Sequence, residues 1–171
     1  MGMQSDLEYL RSRQYLPEYL FSQQSREVPV LWLAHDFTPQ DRPRDQYSKN
    51  WNVGVVKKVD KWGTHHTKMW FLFYPNGVRV CIQTGNLVPS NIDFMADALF
   101  VQDFPRKSRD SPESEFELQL LAYLSSYKHD GSSLLRSVTE DVDDRQLTQH
   151  FDRVVERLRH YDYADAQGEL V

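Results

Sequence analysis

With 171 residues, 40% of them hydrophobic, the chain can bury one core of ordinary size, which predicts a single domain over residues 1–171. The single cysteine, Cys81, excludes an internal disulfide and predicts a reducing compartment, either the nucleus or the cytosol. No apolar run approaches the roughly 20 residues that span a bilayer, so we expect a soluble protein without a membrane partner.

The net charge of −5 argues against a uniformly basic nucleic-acid binder, but the charge is unevenly distributed. Residues 130–171 hold ten Asp and Glu against five Arg, whereas residues 36–68 hold seven Lys and Arg against four Asp. We therefore expect a locally basic region at 36–68 and an acidic helical tail at 130–171.

The first part of the chain predicts a helix followed by two strands. Ser5-Asp-Leu-Glu8 has the spacing of a capping box and predicts the start of a helix, which Pro17 interrupts. Apolar runs at 28–34 and 51–59 predict strands, and the polar segment 36–50 between them predicts a loop.

A hairpin is predicted in the middle of the chain. Strands at 68–74 and 78–84 flank a Pro-Asn-Gly turn, and they show little alternation of apolar and polar residues, which is typical of strands covered on both faces. A further short strand is predicted at 98–101, followed by a basic loop at 105–111.

Two amphipathic helices are predicted in the C-terminal third. A capping box from Ser114 to Glu117 opens the first, which runs to about Tyr127, and an apolar stripe from Leu147 to Leu158 marks the second. Strands separated by flanking helices, with a hairpin among them, predict an α/β domain whose mixed sheet is layered between helices.

The hairpin is predicted to collect polar side chains on one face. Residues two apart on a strand share a face, so His66 and Lys68 project together if their strand begins by Thr64. A three-residue loop at 75–77, with its glycine in the left-handed conformation, pairs Tyr74 with Val78. Counting back along both strands pairs His66 with Asn86, and directly paired residues share a face. A two-residue Asn-Gly loop would instead shift the register by one and put Asn86 on the opposite face.

This combination of side chains suits phosphoryl chemistry. An imidazole can attack phosphorus and hold a covalent phosphoryl group, while an ammonium and a carboxamide stabilise charge on the non-bridging oxygens. The residues therefore predict a site that holds and attacks a phosphate and that requires neither a metal nor a cofactor.

The segment Thr64-His-His-Thr-Lys68 followed by Asn86 resembles the first catalytic motif of the tyrosyl-DNA phosphodiesterases, a branch of the phospholipase D superfamily. Phe73 stands where the generic superfamily motif has an Asp, which favours this branch. The resemblance runs from Asp6 to about Tyr127, and it implies a phospholipase D-like domain.

The resemblance also implies roles for particular residues. His66 would be the nucleophile that takes the 3′-phosphoryl group of DNA, Lys68 and Asn86 would bind its oxygens, and Trp62 would stack on a base. Such stacking is worth about 1 to 3 kcal/mol. The implied substrate is single-stranded or nicked DNA with a 3′-phosphotyrosyl adduct, as left by a stalled topoisomerase I, and the implied compartment is the nucleus.

Several positions depart from the family pattern. Gly85 replaces a small hydroxyl residue, and Asp97 replaces a glutamine that contacts phosphate. Family members also carry a second His, Lys and Asn set, whose His acts as general acid and base, but His129, His150 and His160 are not followed by a lysine two residues later. The resemblance therefore implies a second catalytic half as a partner, from a C-terminal domain or another subunit.

Two alternatives stay open on the sequence. One is a self-contained nuclease with one motif that homodimerises across it. The other is a non-catalytic module that binds single-stranded DNA through the phosphate cradle. A lipid phosphodiesterase is a remote option, because no membrane-seeking amphipathic segment supports it.

Overall fold

The computed structural model of the chain describes residues 29–34, 51–57, 66–85, 98–129, 131–138 and 141–166, and the helix predicted at Ser5 and the loop predicted at 36–50 lie outside these ranges. In chain order the described elements are β1 (Val30–Ala34), β2 (Trp51–Val56), β3 (Met69–Phe73), β4 (Gly77–Gln83), β5 (Leu99–Pro105), α1 (Glu115–Ser125), β6 (Lys128–His129), β7 (Ser132–Ser133), β8 (Leu135–Ser137) and α2 (Asp144–Leu158). Neither α1 nor α2, the helices of the described ranges, is long and apolar enough to cross a bilayer.

The described strands form two three-stranded sheets and a small hairpin of β6 with β7. In the first sheet β1 pairs in parallel with β2, and β2 pairs antiparallel with β8. In the second, β3, β4 and β5 are antiparallel with β4 in the centre. The sheets meet where Trp32 packs edge-on against Trp70, with 5.8 Å between ring centroids. The predicted mixed α/β fold is confirmed.

Most predicted elements have a counterpart in the structure. The strands predicted at 28–34, 51–59, 68–74 and 78–84 correspond to β1, β2, β3 and β4, and the two C-terminal helices correspond to α1 and α2. β5 continues past the predicted end at residue 101 and includes Pro105. An edge strand tolerates a proline because one side of its backbone needs no ladder partner. β6, β7 and β8 have two or three residues each, too few to show a period-two pattern.

The hairpin between β3 and β4 turns one residue tighter than predicted. Phe73 pairs with Val78, and the Tyr74 N–H donates to the Gly77 carbonyl over 2.9 Å. The loop therefore consists of residues 75–76 alone. The predicted pairing of Tyr74 with Val78 is wrong.

Packing against β5 explains the tighter loop. Gly77 does not adopt a positive φ, so it is not the left-handed residue that the sequence suggested. Instead it pairs with Pro105, and a Cβ added to it would lie 2.7 Å from the Phe104 carbonyl oxygen. Glycine is needed here because β5 approaches closely, and this pairing extends β4 back to Gly77.

The buried core lies between the β3–β5 sheet, the two helices and the C-terminal segment. Phe116 of α1 stacks on Phe100 and Phe104 of β5, with centroid separations of 5.7 and 5.6 Å. α2 packs against β8 and β2. The largest fully buried side chains are Tyr161, Tyr163, Phe104, Leu135, Leu147, Leu158, Val53, Val78 and Val80.

The start of α1 is tied to the loop before it by a buried ion pair. Ser114 caps the helix as predicted, accepting a hydrogen bond from the Glu117 N–H over 3.1 Å. The Glu117 carboxylate does not complete the predicted capping box, because it accepts hydrogen bonds from Lys107 Nζ over 2.6 and 2.7 Å. Since Glu117 is only 3% exposed, Lys107 compensates for the water that this buried side chain has lost.

The Lys107→Ala substitution should leave this buried carboxylate without its cation. Because Lys107 is itself 27% exposed, we expect a loss below that of a fully buried pair, about 2 to 3 kcal/mol in the free energy of unfolding measured with urea.

Lys128→Ala provides the matched control. Its partner Asp152 lies 2.7 Å away, but the two side chains are 44% and 46% exposed, so we expect a loss of less than about 1 kcal/mol. Equal losses in the two variants would contradict the assignment of a stabilising role to the Lys107–Glu117 pair.

Candidate functional site

His66 and Lys68 lie in contact where the chain enters β3. Lys68 Nζ is 2.9 Å from His66 Nδ1 and 3.0 Å from Nε2, so the ammonium lies within hydrogen-bonding distance of the imidazole nitrogens. The two side chains therefore project together as predicted, although β3 begins at Met69 and not by Thr64. The backbone here is aligned with β4, because the Gln83 N–H donates to the Lys68 carbonyl over 3.0 Å.

The alternation of side chains gives the β3–β5 sheet two distinct faces. The core face carries Met69, Phe71, Phe73, Val78, Val80, Ile82, Phe100 and Phe104, which all belong to or pack against the core. The outer face carries Lys68, Trp70, Leu72, Arg79, Cys81, Gln83, Leu99, Val101 and Asp103. His66 projects on the outer face with Lys68.

Thr67, between the two site residues, points the opposite way. Its hydroxyl forms a hydrogen bond with the hydroxyl of Tyr123 on α1, the helix that covers the core face. Tyr123 in turn lies 3.3 Å, hydroxyl to hydroxyl, from Tyr127. Burial, followed by the hydrogen bond with Tyr123, raises the pKa of Tyr127 well above its usual range. Tyr127 is therefore neutral near pH 7, and its hydroxyl can act as a donor.

Gln83 is a further polar residue beside the candidate site. It stands across the sheet from Lys68 on the outer face, and its side-chain Nε2 donates to the Gly85 carbonyl over 3.0 Å. Gln83, Thr67 and Tyr123 were not among the predicted site residues. The strand period was the available signal for Gln83 and Thr67. For Tyr123 the signal was a second tyrosine four residues later, just past the end of α1.

The observed register contradicts the predicted pairing of His66 with Asn86. Extended from the pairing of Phe73 with Val78, the register puts Gly85, not Asn86, opposite His66. Asn86 and Trp62 lie outside the described residues, as does Asp97. Their roles therefore stay predictions.

The far end of the outer face carries a separate ion pair. Arg79 and Asp103 form a bidentate salt bridge with two distances of 2.8 Å. The hydrogen bond from Arg79 lowers the pKa of Asp103, so this carboxylate stays ionised at neutral pH. In the part of the chain that the structure describes, no group of three or more His, Cys, Asp or Glu side chains is arranged to hold a metal ion.

The described residues form an α/β domain. Just before β3, an imidazole and an ammonium lie in contact on its surface, and this pair is suited to an anionic phosphate. The model of the family described as tyrosyl-DNA phosphodiesterase matches residues 6–171. The chain belongs to this family. The match continues well past residue 127, so the prediction that the resemblance ends there is wrong.

Two relatives share part of the sequence. Tyrosyl-DNA phosphodiesterase 1 of Arabidopsis thaliana is 38% identical over 82 residues, which cover 46% of this chain and 14% of that protein. A probable tyrosyl-DNA phosphodiesterase of Caenorhabditis elegans is 41% identical over 70 residues, covering 39% of this chain and 15% of that protein. The matched segments thus span only a small part of the relatives' length.

The reactivity of Cys81 tests how far its thiol is buried on the outer face of the β3–β5 sheet. Burial raises the pKa of its thiol, and Arg79 only partly offsets this effect. Because the thiolate is the reactive form, we expect iodoacetamide to alkylate the folded protein more slowly than the urea-unfolded protein. The rate in the folded protein should keep rising above about pH 8.5, where a free thiol is half ionised. Mass spectrometry measures both rates, and equal values would contradict the described burial.

Proposed function

We propose that this chain is a catalytic half of a DNA-repair phosphodiesterase that acts on 3′-phosphotyrosyl DNA through a covalent phosphohistidine at His66. The observation that carries the proposal is the contact of Lys68 Nζ with the His66 ring at 2.9 and 3.0 Å, in a chain of the tyrosyl-DNA phosphodiesterase family. The whole unit would have a phospholipase D-like sheet layered between helices.

The contact supports a nucleophilic role for the imidazole. A ring nitrogen that accepts a hydrogen bond from an ammonium carries a lone pair, and a nucleophile needs that lone pair. When a phosphate binds, the ammonium can move from the ring to a non-bridging oxygen, since an anionic oxygen is a stronger acceptor than a neutral imidazole. That movement frees the ring nitrogen for attack.

The proposed first step replaces one bond to phosphorus by another. A bond forms between a ring nitrogen of His66 and phosphorus, and the bond from phosphorus to the tyrosyl oxygen breaks. The electron pair of that bond leaves with the tyrosyl oxygen, while Lys68 stabilises the charge on the non-bridging oxygens. We also propose Asn86 as a second phosphate-binding side chain and Trp62 as a base-stacking residue.

The leaving oxygen needs a proton, because a tyrosyl phenolate is a strong base with a conjugate acid of pKa about 10. The sequence contains His-x-Lys once, at residues 66–68. We therefore propose that a second catalytic half, from another domain or subunit, supplies the acid and then activates the water that hydrolyses the intermediate. A DNA adduct is the proposed substrate, and the nucleus the proposed compartment.

An activated substrate tests the nucleophile without the missing acid. In an oligonucleotide ending in a 3′-(4-nitrophenyl phosphate), the leaving group is a weaker base than a tyrosyl phenolate and departs without a proton. We expect one equivalent of 4-nitrophenolate per protein and an oligonucleotide adduct that survives denaturing electrophoresis and is released by acid. Absorbance and gel mobility measure the two products.

Matched variants separate the candidate nucleophiles. The His66→Ala substitution should lower the adduct yield by about a thousandfold, Lys68→Gln should slow its formation about a hundredfold, and His65→Ala should leave it unchanged. An adduct that persists in His66→Ala refutes the assignment. Binding of the oligonucleotide without any adduct favours the non-catalytic module, and a rate per protein that rises with protein concentration favours the homodimer.

A further inference from the structure

We infer that Tyr123 is a positioning residue for the proposed reaction: through its hydrogen bond to Thr67, it holds the His66–Lys68 segment in place from the opposite face of the strand. The inference rests on the proposed function of His66. It assigns Tyr123 no contact with the substrate, since the hydroxyl acts only through Thr67.

The position of Thr67 makes it an effective anchor. It lies between the two site residues, and its hydroxyl bonds to Tyr123 on the core side while His66 and Lys68 project outward. A fixed Thr67 side chain therefore limits rotation of the backbone on both sides of it. Because a nucleophile must be held close to the in-line geometry, small rotations here are costly to the reaction rate.

The segment has a second restraint from the neighbouring strand. Residues 66–68 precede β3, which begins at Met69, and the Gln83 N–H bonds to the Lys68 carbonyl over 3.0 Å. That bond lies in the plane of the sheet. The bond from Thr67 to Tyr123 runs toward α1, perpendicular to the sheet. Together they restrain the segment in two directions.

Tyr123 can serve as an anchor because its own position is fixed. Its ring packs edge-on against Tyr127, with 5.8 Å between centroids, and the two hydroxyls are 3.3 Å apart. Tyr127 is 7% exposed, and its ring packs on Phe151 of α2 with 5.1 Å between centroids. The site is thus linked to the packed interface of both helices, whereas Tyr123 itself is 36% exposed and tolerates a change at its hydroxyl.

Removing either hydroxyl should slow the chemical step without weakening binding. In Tyr123→Phe and in Thr67→Val we expect the rate constant of adduct formation, with the 3′-(4-nitrophenyl phosphate) oligonucleotide at saturation, to fall about tenfold. The dissociation constant of the oligonucleotide should change by less than about twofold, because the outer face keeps all its groups. Thr67→Ser retains the hydroxyl and should recover most of the rate.

Two further variants distinguish positioning from general destabilisation. The double variant Thr67→Val with Tyr123→Phe should be no slower than either single variant, because the two hydroxyls act as one unit. Tyr74→Phe, which removes the hydroxyl of a tyrosine of similar exposure at the loop end of the β3–β4 hairpin, should react at the wild-type rate. A Tyr123→Phe variant as fast as the wild type overturns the inference.

Hydrogen exchange separates this inference from the proposed function. In the free protein, amide exchange in a peptide covering residues 66–72 should become about tenfold faster in Tyr123→Phe and stay unchanged in Tyr74→Phe. If the wild type forms no adduct, the proposed function fails, and unchanged exchange in Tyr123→Phe would independently overturn the anchoring role.

Discussion

The register of β3 on β4 is the constraint on which the candidate site depends. It pairs Phe71 and Phe73 with Val80 and Val78, and these valines are 0% and 1% exposed. A slip by one residue would turn β3 over relative to β4 and bring its apolar side chains to the outer face. Burying each large apolar side chain is worth about 1.5 to 3 kcal/mol, so the core strongly opposes such a slip. The outward direction of His66 and Lys68 therefore follows from apolar burial on the other face.

The two ends of β3 are restrained by different kinds of contact. At the hairpin loop, Arg106 Nε donates to the Pro75 carbonyl over 3.1 Å, and the Arg157 guanidinium lies 4.2 Å from the centre of the Phe73 ring. At the His66 end the restraint from the core side is a hydroxyl contact with α1. The cations at the loop end hold the hairpin tip without occupying the outer face near His66. A strand held in this way can present polar side chains to an anionic ligand and keep its other side packed.

Periodicity in the sequence predicted the elements that have a long pattern. The strand period placed His66 and Lys68 on one face, and their contact confirms it. The helix period predicted α1 and α2 in the same way. Patterns of this kind depend only on residues that are close in the sequence, so they can be read without knowing the fold.

Contacts between distant residues were not predictable from such patterns. The loop length depended on Gly77 meeting β5, and the partner of Glu117 is Lys107, which lies at the start of the loop before α1. The apolar stripe of α1 gave no sign that the Tyr123 hydroxyl reaches Thr67. The predicted pairing of His66 with Asn86 failed at the step that counted residues across the turn, since one residue changes the face. The roles of Asn86 and Trp62 are still predictions from the family resemblance.

The close approach of β5 to Gly77 has a consequence for the order of folding. A hairpin of β3 and β4 alone contains only local contacts and can form early with either loop length. The contact of residue 104 with residue 77, which favours the tight loop, also requires closing a longer stretch of chain, and this carries an additional entropic cost. The register that aims His66 outward is therefore supported by a contact that exists only when β5 is in place. During synthesis this contact cannot form before β5 has left the ribosome.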